Sequence, residues 1–355
     1  MNIEKTLIEI LSSTQDESLG LTANQLGLKA TFSDEGSQIN LNLEAGFPTK
    51  PLEDTLLPSI EKACIQAFQG YQLKINMRQL IRPHRTQFAG KGLRGVKNTI
   101  AIASGKGGVG KSTVSVNLAI SLARAGARVG LLDADIYGPS IPLMLGQAKP
   151  IEMKDEYYLP ILAHGIQAMS IGYLTDSEQA IIWRGPMLAK SLIQMVNMTF
   201  WDDLDYLFID LPPGTGDIQL SLVQKIPLTG AVVVTTPQNV ATLDAQKAIQ
   251  MFAKTNIDVL GLVENMSLHL CSNCGHQEAI FGSGGGERLC DSLKVKLLGQ
   301  IPLDSQIRIQ CDEGNPTAAQ DSNENFFMKT AMNTAITLAG KPLNYADKFP
   351  DIVVE

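Results

Sequence analysis

The stretch Ile100-Ala-Ile-Ala-Ser-Gly-Lys-Gly-Gly-Val-Gly-Lys-Ser-Thr113 decides the fold. It starts as a short apolar run and turns through Gly105, Gly107, Gly108 and Gly110. It then enters a helical pattern, Val114–Ala125. Strand, glycine-rich loop and helix are the context that a phosphate-binding loop needs, and Gly105, Gly110, Lys111 and Ser112 meet the pattern G-x-x-x-x-G-K-[ST]. Without side chains at the glycines, the backbone N–H groups of Lys106, Val109 and their neighbours are free to face phosphate oxygens. The helix that opens at Lys111, through Ser112 and Thr113, adds its positive dipole end. Lys111 is the residue to reach the β- and γ-phosphates, and the Ser112 hydroxyl is the residue to ligate Mg²⁺. A glycine turn ahead of a purely structural helix is the alternative, and the complete match in context weighs against it.

Lys106, directly after the first glycine, is a second lysine in the loop. Lys-Gly-Gly-Val-Gly-Lys-Ser resembles the deviant Walker A loop of the MinD/ParA/nitrogenase-iron-protein class. In that class the early lysine crosses a dimer interface to the partner's nucleotide. The resemblance implies a dimerising ATPase in which Lys106 and Lys111 both serve catalysis; an ordinary solvent-exposed lysine is the other reading of Lys106.

The chain has 355 residues, 44% hydrophobic and 18% charged, with a formal net charge of −7. That length suggests two domains and a sizeable core. The acidic balance argues against a general nucleic-acid surface, which needs clustered Lys and Arg. The N-terminal Met-Asn-Ile-Glu-Lys-Thr is neither a basic n-region nor followed by an apolar one, so no signal peptide is expected. No apolar run approaches the ~20 residues of a membrane span. Five cysteines in this length are not a disulfide framework, and a cytoplasmic protein without a membrane partner is expected.

Residues 1–80 read as a small α+β unit, with helical spacing at Ile3–Leu11 and Leu56–Phe68 and strand alternation at Gln38–Leu43. This order resembles the small domain that precedes such ATPases in iron–sulfur assembly proteins, in a degenerate form that lacks the acidic Asp-Pro-Glu motif. Cys64 falls in an apolar helical pattern and reads as a core residue. Residues 81–97 are basic, glycine-rich and aperiodic, a linker by composition. From 98 to 342 strands and helices alternate. The strand candidates are Thr99–Ala103, Arg128–Leu132, Ile166–Ile171, Tyr206–Asp210, Ala231–Thr235, Val259–Val263 and Leu297–Ile301. The helical ones are Val114–Ala125, Met187–Met198, Ile218–Lys225, Thr242–Ala253 and Gly284–Leu293, with a closing helix at Asn323–Leu338 and a tail at 343–355. Apolar strands separated by helices predict an α/β fold with a doubly wound, mostly parallel sheet. Ligands then gather at the carboxyl ends of the strands.

The remaining motifs fall at those ends. One strand closes in Asp133-Ala-Asp135-Ile-Tyr-Gly-Pro-Ser140, where two carboxylates one residue apart can face a metal and a water. Asp133 is assigned to the Mg²⁺ shell and, by the class resemblance, Asp135 to orienting the attacking water; a pair of turn-capping aspartates is the alternative. Leu207-Phe-Ile-Asp210 is a Walker B element whose Asp210 holds Mg²⁺, and Pro-Pro-Gly-Thr-Gly follows as a switch. Val263-Glu-Asn265 and Ile301-Pro302-Leu-Asp304 resemble the base-recognition elements of the nitrogenase-iron-protein class, which implies that Asn265, Pro302 and Asp304 frame adenine. A plain turn is the other reading of Asn265.

Cys271-Ser-Asn-Cys274-Gly-His276 supplies two thiolates from one turn, whereas zinc or a [4Fe–4S] cluster wants four ligands. A symmetric dimer provides four by placing one pair from each subunit on its axis. Taken with the deviant loop, the Asp-x-Asp-Ile-Tyr-Gly-Pro-Ser and Asp-Leu-Pro-Pro-Gly-Thr-Gly-Asp segments and Trp183-Arg-Gly-Pro-Met187, this pair resembles the Mrp/ApbC iron–sulfur cluster carrier ATPases over nearly all of residues 98–340. The resemblance implies a homodimeric ATPase that holds a labile [4Fe–4S] cluster on Cys271 and Cys274 and passes it to apoproteins. Structural zinc on Cys271, Cys274 and His276 and a redox dithiol remain open, as does a positioning ATPase of the MinD/ParA type. Cys290, in a helical pattern, and Cys311, in a turn-rich stretch, are read as non-ligands. The run Gly282-Ser-Gly-Gly-Gly286 lacks a following Lys-Ser and is expected to be a flexible loop.

Overall fold

The computed structural model describes residues 2–34, 36–136, 138–147, 149–174, 185–271, 274–320 and 326–344. Trp183, Tyr137, the first residues of the expected closing helix and the tail from 345 lie outside the described residues.

The N-terminal unit contains α1 (Ile3–Ser13), β1 (Lys29–Asp34), β2 (Gln38–Ala45), α2 (Lys50–Ala67) and β3 (Gln72–Gln79). Its sheet has the order β1-β2-β3, antiparallel at β1–β2 and parallel at β2–β3, so α2 is the crossover of a parallel pair. Proline in the first turn opens α2, and Leu52, Leu56, Ile60 and Cys64 form its buried stripe at four-residue spacing. Sequence spacing alone missed β1 and β3. β1 is exposed along its whole length, so it carries no apolar alternation.

The larger unit begins with β4 (Val96–Ser104), α3 (Lys111–Arg124), β5 (Val129–Asp133) and the short α4 (Ile141–Met144). A small hairpin of β6 (Met153–Lys154) and β7 (Tyr157–Tyr158) precedes β8 (Ile161–Ala163) and β9 (Ile166–Ser170). Then come α5 (Gly185–Met198), β10 (Leu204–Asp210), α6 (Asp217–Val223), β11 (Gly230–Thr235), α7 (Asn239–Lys254) and β12 (Val259–Glu264). A second hairpin, β13 (His269–Leu270) and β14 (Gln277–Glu278), leads to α8 (Gly285–Leu293), β15 (Leu297–Gln300), α9 (Ser305–Asp312) and α10 (Phe326–Ala339).

Eight strands form one sheet in the order β15-β12-β11-β4-β10-β5-β9-β8. Every pairing is parallel except β8 with β9. β10 and β11 are buried along their whole length, and β4 is buried from Asn98 onward. Such strands need apolar residues on both faces, which is why they read as continuous runs. β8 is too short to announce itself in sequence. The structure differs from the sequence expectation at Cys311 and at the glycine run 282–286. Cys311 lies in α9, buried, and not in a turn-rich stretch: Asp304 caps that helix by accepting from Gln306 N at 2.8 Å. The glycine run at 282–286 is not an open loop either, because Gly285 and Gly286 are buried in the first turn of α8. A Cβ at Gly285 would stand 2.1 Å from the Pro237 carbonyl oxygen, so only glycine lets the helix approach that closely.

The two units share one apolar core that runs from Leu7 and Ile60 to Leu118 and Leu338. Within residues 81–97, His84 and Gln87 are tied to the larger unit. His84 is buried with Nδ1 2.9 Å from Asn98 Oδ1, and Gln87 donates to the Val223 and Ile226 carbonyls at 2.9 and 2.8 Å.

Candidate functional site

β4 lies at the centre of the sheet, so the loop that follows it emerges between the ends of β10 and β11. Residues 106–113 of this loop line a cavity of about 220 Å³, together with Ser104, Asp135, Ser140, Met144 and Pro213. Gly110, with φ of 79°, stands where α3 begins. A Cβ there would lie 2.2 Å from Asn265 Nδ2, and one at Gly105 would lie 2.1 Å from the Asp244 backbone. The glycines therefore answer to close packing around the loop as well as to its inward-facing amides.

Lys111 is 6% exposed and Asp210 0%, and Lys111 Nζ lies 2.7 Å from Asp210 Oδ2. Asp210 also accepts from Ser112 Oγ at 2.6 Å and from Ser115 Oγ at 2.5 Å. The expected phosphate lysine, Mg²⁺ serine and Walker B aspartate thus meet at one point. Ser115, one helical turn after Lys111, was not foreseen. It sits at the i+4 position, facing the same strand end, and that spacing was the available signal.

Asp133 pairs in register with Asp210 across the β5–β10 ladder. Its oxygens accept from Asp135 N at 3.1 Å, Ser170 Oγ at 3.0 Å and Ile141 N at 3.4 Å. Burial, and after it the neighbouring Asp210 charge, raise its carboxyl from 3.8 to about 7. Asp135 lines the cavity mouth and is only partly buried. Lys106 is partly buried, and its carbonyl accepts from Ser104 Oγ at 2.9 Å. A Mg²⁺ ion on Ser112 Oγ and the Asp210 carboxylate fits the donor set, since both are hard oxygens, Ser112 lines the glycine cradle and Asp210 lies directly behind its hydroxyl.

Asn265 is buried at the end of β12, where Nδ2 donates to the Val109 carbonyl at 2.9 Å. It therefore abuts the phosphate loop directly. Pro302 and Asp304 follow β15, one strand farther from the loop, and Asp304 serves as the α9 cap described above.

The β13–β14 hairpin carries the cysteine turn. Gly275 N donates to the Cys271 carbonyl at 2.8 Å and Cys271 N to the His276 carbonyl at 2.9 Å, with Gly275 at φ of 71°. Cys271 is partly buried and Cys274 exposed, whereas Cys64, Cys290 and Cys311 are buried. Desolvation, followed by nearby carboxylates, raises the Cys64 and Cys290 thiols to about 11, and burial pushes Cys311 up too. Thiols so placed stay protonated and inert. Among the described residues no group of three or more His, Cys, Asp or Glu side chains is arranged to hold a metal ion. No helix among them is long and apolar enough to cross a membrane.

A protein of Pseudomonas fragi called iron–sulfur cluster carrier protein is 55% identical over 253 residues, covering 70% of this chain and 88% of its own. One of the same name from Deinococcus radiodurans is 44% identical over 339 residues, covering 94% of each. Among solved structures, a nucleotide-binding protein of Archaeoglobus fulgidus in complex with ADP is 39% identical, with a TM-score of 0.58 over 66% of this chain and 91% of that one. The model of the NUBPL iron-transfer P-loop NTPases, within the ParA group, matches residues 95–338. The chain belongs to the family of NUBPL iron-transfer P-loop NTPases.

Proposed function

We propose that this protein is a cytoplasmic ATPase that carries a labile [4Fe–4S] cluster between two copies of the chain and delivers it to iron–sulfur apoproteins. The observation that carries the reading is the division among the cysteines. Cys271 and Cys274 share one tight turn with Cys274 in solvent, while the other three are buried. Two thiolates leave half of a cubane's protein ligands unfilled, and a second copy supplies the other half. Exposed Leu268, Leu270 and Ile280 lie on either side of the turn along the chain, and exposed Val240 and Leu243 lie on α7, whose Asp244 backbone approaches Gly105 of the phosphate loop. An apolar surface of this kind suits the closing of two copies.

In the nucleotide site, Lys111 would exchange Asp210 for the β- and γ-phosphates, while Ser112 and Asp210 would hold Mg²⁺, with Asp133 behind them. The ion supplies charge neutralisation at the transferring phosphoryl group. Asp135 would orient the attacking water, and Lys106 would reach the partner's phosphates. Asn265 Oδ1 would meet adenine beside the Pro302–Asp304 turn.

Cluster delivery is the direct test. Anaerobically reconstituted protein is mixed with an apoenzyme whose activity needs a [4Fe–4S] cluster, with chelator present to trap free iron. Activation by the wild type and none by Cys274→Ala is expected. Equal activation by both, or stoichiometric zinc that iron does not replace, would refute the carrier reading.

A further inference from the structure

The phosphate loop and the cysteine turn lie on different segments, and Glu264 is one of the buried side chains, with Asn265 and Ser267, on the stretch that leads from β12 to the cysteines. Glu264 ends β12 and is 1% exposed. Oε2 accepts from Gly286 N at 2.6 Å and Oε1 from Gln300 Nε2 at 2.9 Å, while its carbonyl accepts from Ile301 N at 2.9 Å. Among the described residues no Lys or Arg lies within ion-pair distance of it. Gly286 lies in the first turn of α8, whose own N-cap Gly284 offers no side chain, so the Glu264 carboxylate supplies from β12 the acceptor that this helix end lacks and ties the helix to the strand end.

Chain path gives Glu264 its place. From Glu264 the backbone runs through Asn265 to the β13–β14 hairpin with Cys271 and Cys274, and returns at Gly286 on α8. The carboxylate bond to Gly286 therefore closes the excursion that carries both cysteines. The fit is close, since a Cβ on Gly286 would stand 2.8 Å from Oε2. The next residue, Asn265, is latched to the phosphate loop through Val109 and pressed against Gly110, and its N–H donates to the Thr235 carbonyl at 2.8 Å. Any shift of Val109 or Gly110 on phosphate uptake would reach Asn265 by direct contact, and Glu264 is its covalent neighbour at the same buried strand end.

We propose that Glu264 is a positioning residue that couples nucleotide occupancy to the set of the cysteine hairpin, by holding Gly286 and Gln300 to the strand end that Asn265 ties to the phosphate loop. The purpose of this coupling rests on the carrier reading; the coupling itself is measurable without a cluster. Full-length, reduced, cluster-free protein is alkylated with iodoacetamide, with and without Mg²⁺ and a non-hydrolysable ATP analogue. The protein is kept at a concentration where sedimentation reports a monomer, and the rates at Cys271 and Cys274 are read by mass spectrometry. In the wild type the analogue should change the rates at least about five-fold, the low end of ordinary coupling between sites. Glu264→Ala should bind the analogue with unchanged affinity yet lose most of that response, and Glu264→Gln, which keeps an acceptor for Gly286, should retain it. Rates indifferent to nucleotide in the wild type would overturn the proposal. So would a full response in Glu264→Ala, or weakened nucleotide binding as its sole effect. Should Glu264→Ala fail to fold, hydrogen exchange at the wild-type Gly286 amide decides: protection that changes with the analogue supports the coupling, and unchanged protection overturns it. Failure here leaves cluster delivery untouched, because that assay reads a different event.

Discussion

Lys111→Met tests the buried ion pair at the base of the phosphate loop. Methionine keeps most of the aliphatic stem and removes the charge, leaving Asp210, fully buried, without its cation. Removing one partner of a buried pair costs about 3–5 kcal/mol. Asp210 keeps hydrogen bonds from the Ser112 and Ser115 hydroxyls, one on each oxygen. The expected loss is therefore at the low end, about 3 kcal/mol, in nucleotide-free protein. Adding Asp210→Asn removes the stranded charge. The double variant should recover about 2 kcal/mol, leaving a residual loss close to that of one ordinary hydrogen bond. Urea unfolding followed by tryptophan fluorescence measures both, with nucleotide binding assayed in parallel and expected to be lost. A single variant within about 0.5 kcal/mol of wild type, the range of a plain surface change, would refute the pair as a stabilising contact.

Asp135→Asn should leave ATP affinity nearly unchanged and lower turnover by roughly 10²–10⁴-fold, the usual worth of a positioned acid–base group; lost binding with normal turnover per bound ATP would make Asp135 structural. Asp133, raised from 3.8 to about 7, holds more protons in the folded chain than in the unfolded one across that interval. Its stabilising contribution is present below the lower value and is lost as pH rises through the upper one. Metal-free Asp133→Asn should accordingly lose less stability than wild type between acid and neutral pH, and an identical pH slope would contradict the assignment. In native cluster-free protein only Cys271 and Cys274 should react quickly with iodoacetamide, since burial keeps Cys64, Cys290 and Cys311 protonated; fast labelling of Cys290 would count against that partition.

Much of the fold and site was legible because the chemistry was written in short contiguous segments. The central strands are apolar on both faces, so β4, β10 and β11 showed as runs, and the phosphate loop, Asp210 and the cysteine pair each fall where such a run ends or soon after it. What stayed hidden depends on contacts between distant segments. Ser115 turns toward Asp210 only once α3 packs beside β10, and Glu264 meets Gly286 only through the closure of the cysteine excursion. The glycines at 285 and 286 looked like slack chain, yet they are dictated by Pro237 and Glu264, which no local pattern reveals. Likewise α9 lacks an apolar stripe strong enough to outweigh the surrounding turn residues, and only its capping Asp304 marked the start.

Iron and acid-labile sulfide content, measured beside molar mass after anaerobic reconstitution, tests the shared cluster most directly. Two thiolates per chain require about one [4Fe–4S] per dimer, roughly two irons per chain, on a species of twice the chain mass. Cys271→Ala and Cys274→Ala should each abolish the cluster while ATP still binds, and Cys64→Ala, Cys290→Ala and Cys311→Ala should keep it. Four irons on a monomer, or a full cluster retained by Cys271→Ala, would contradict a cluster held between two chains.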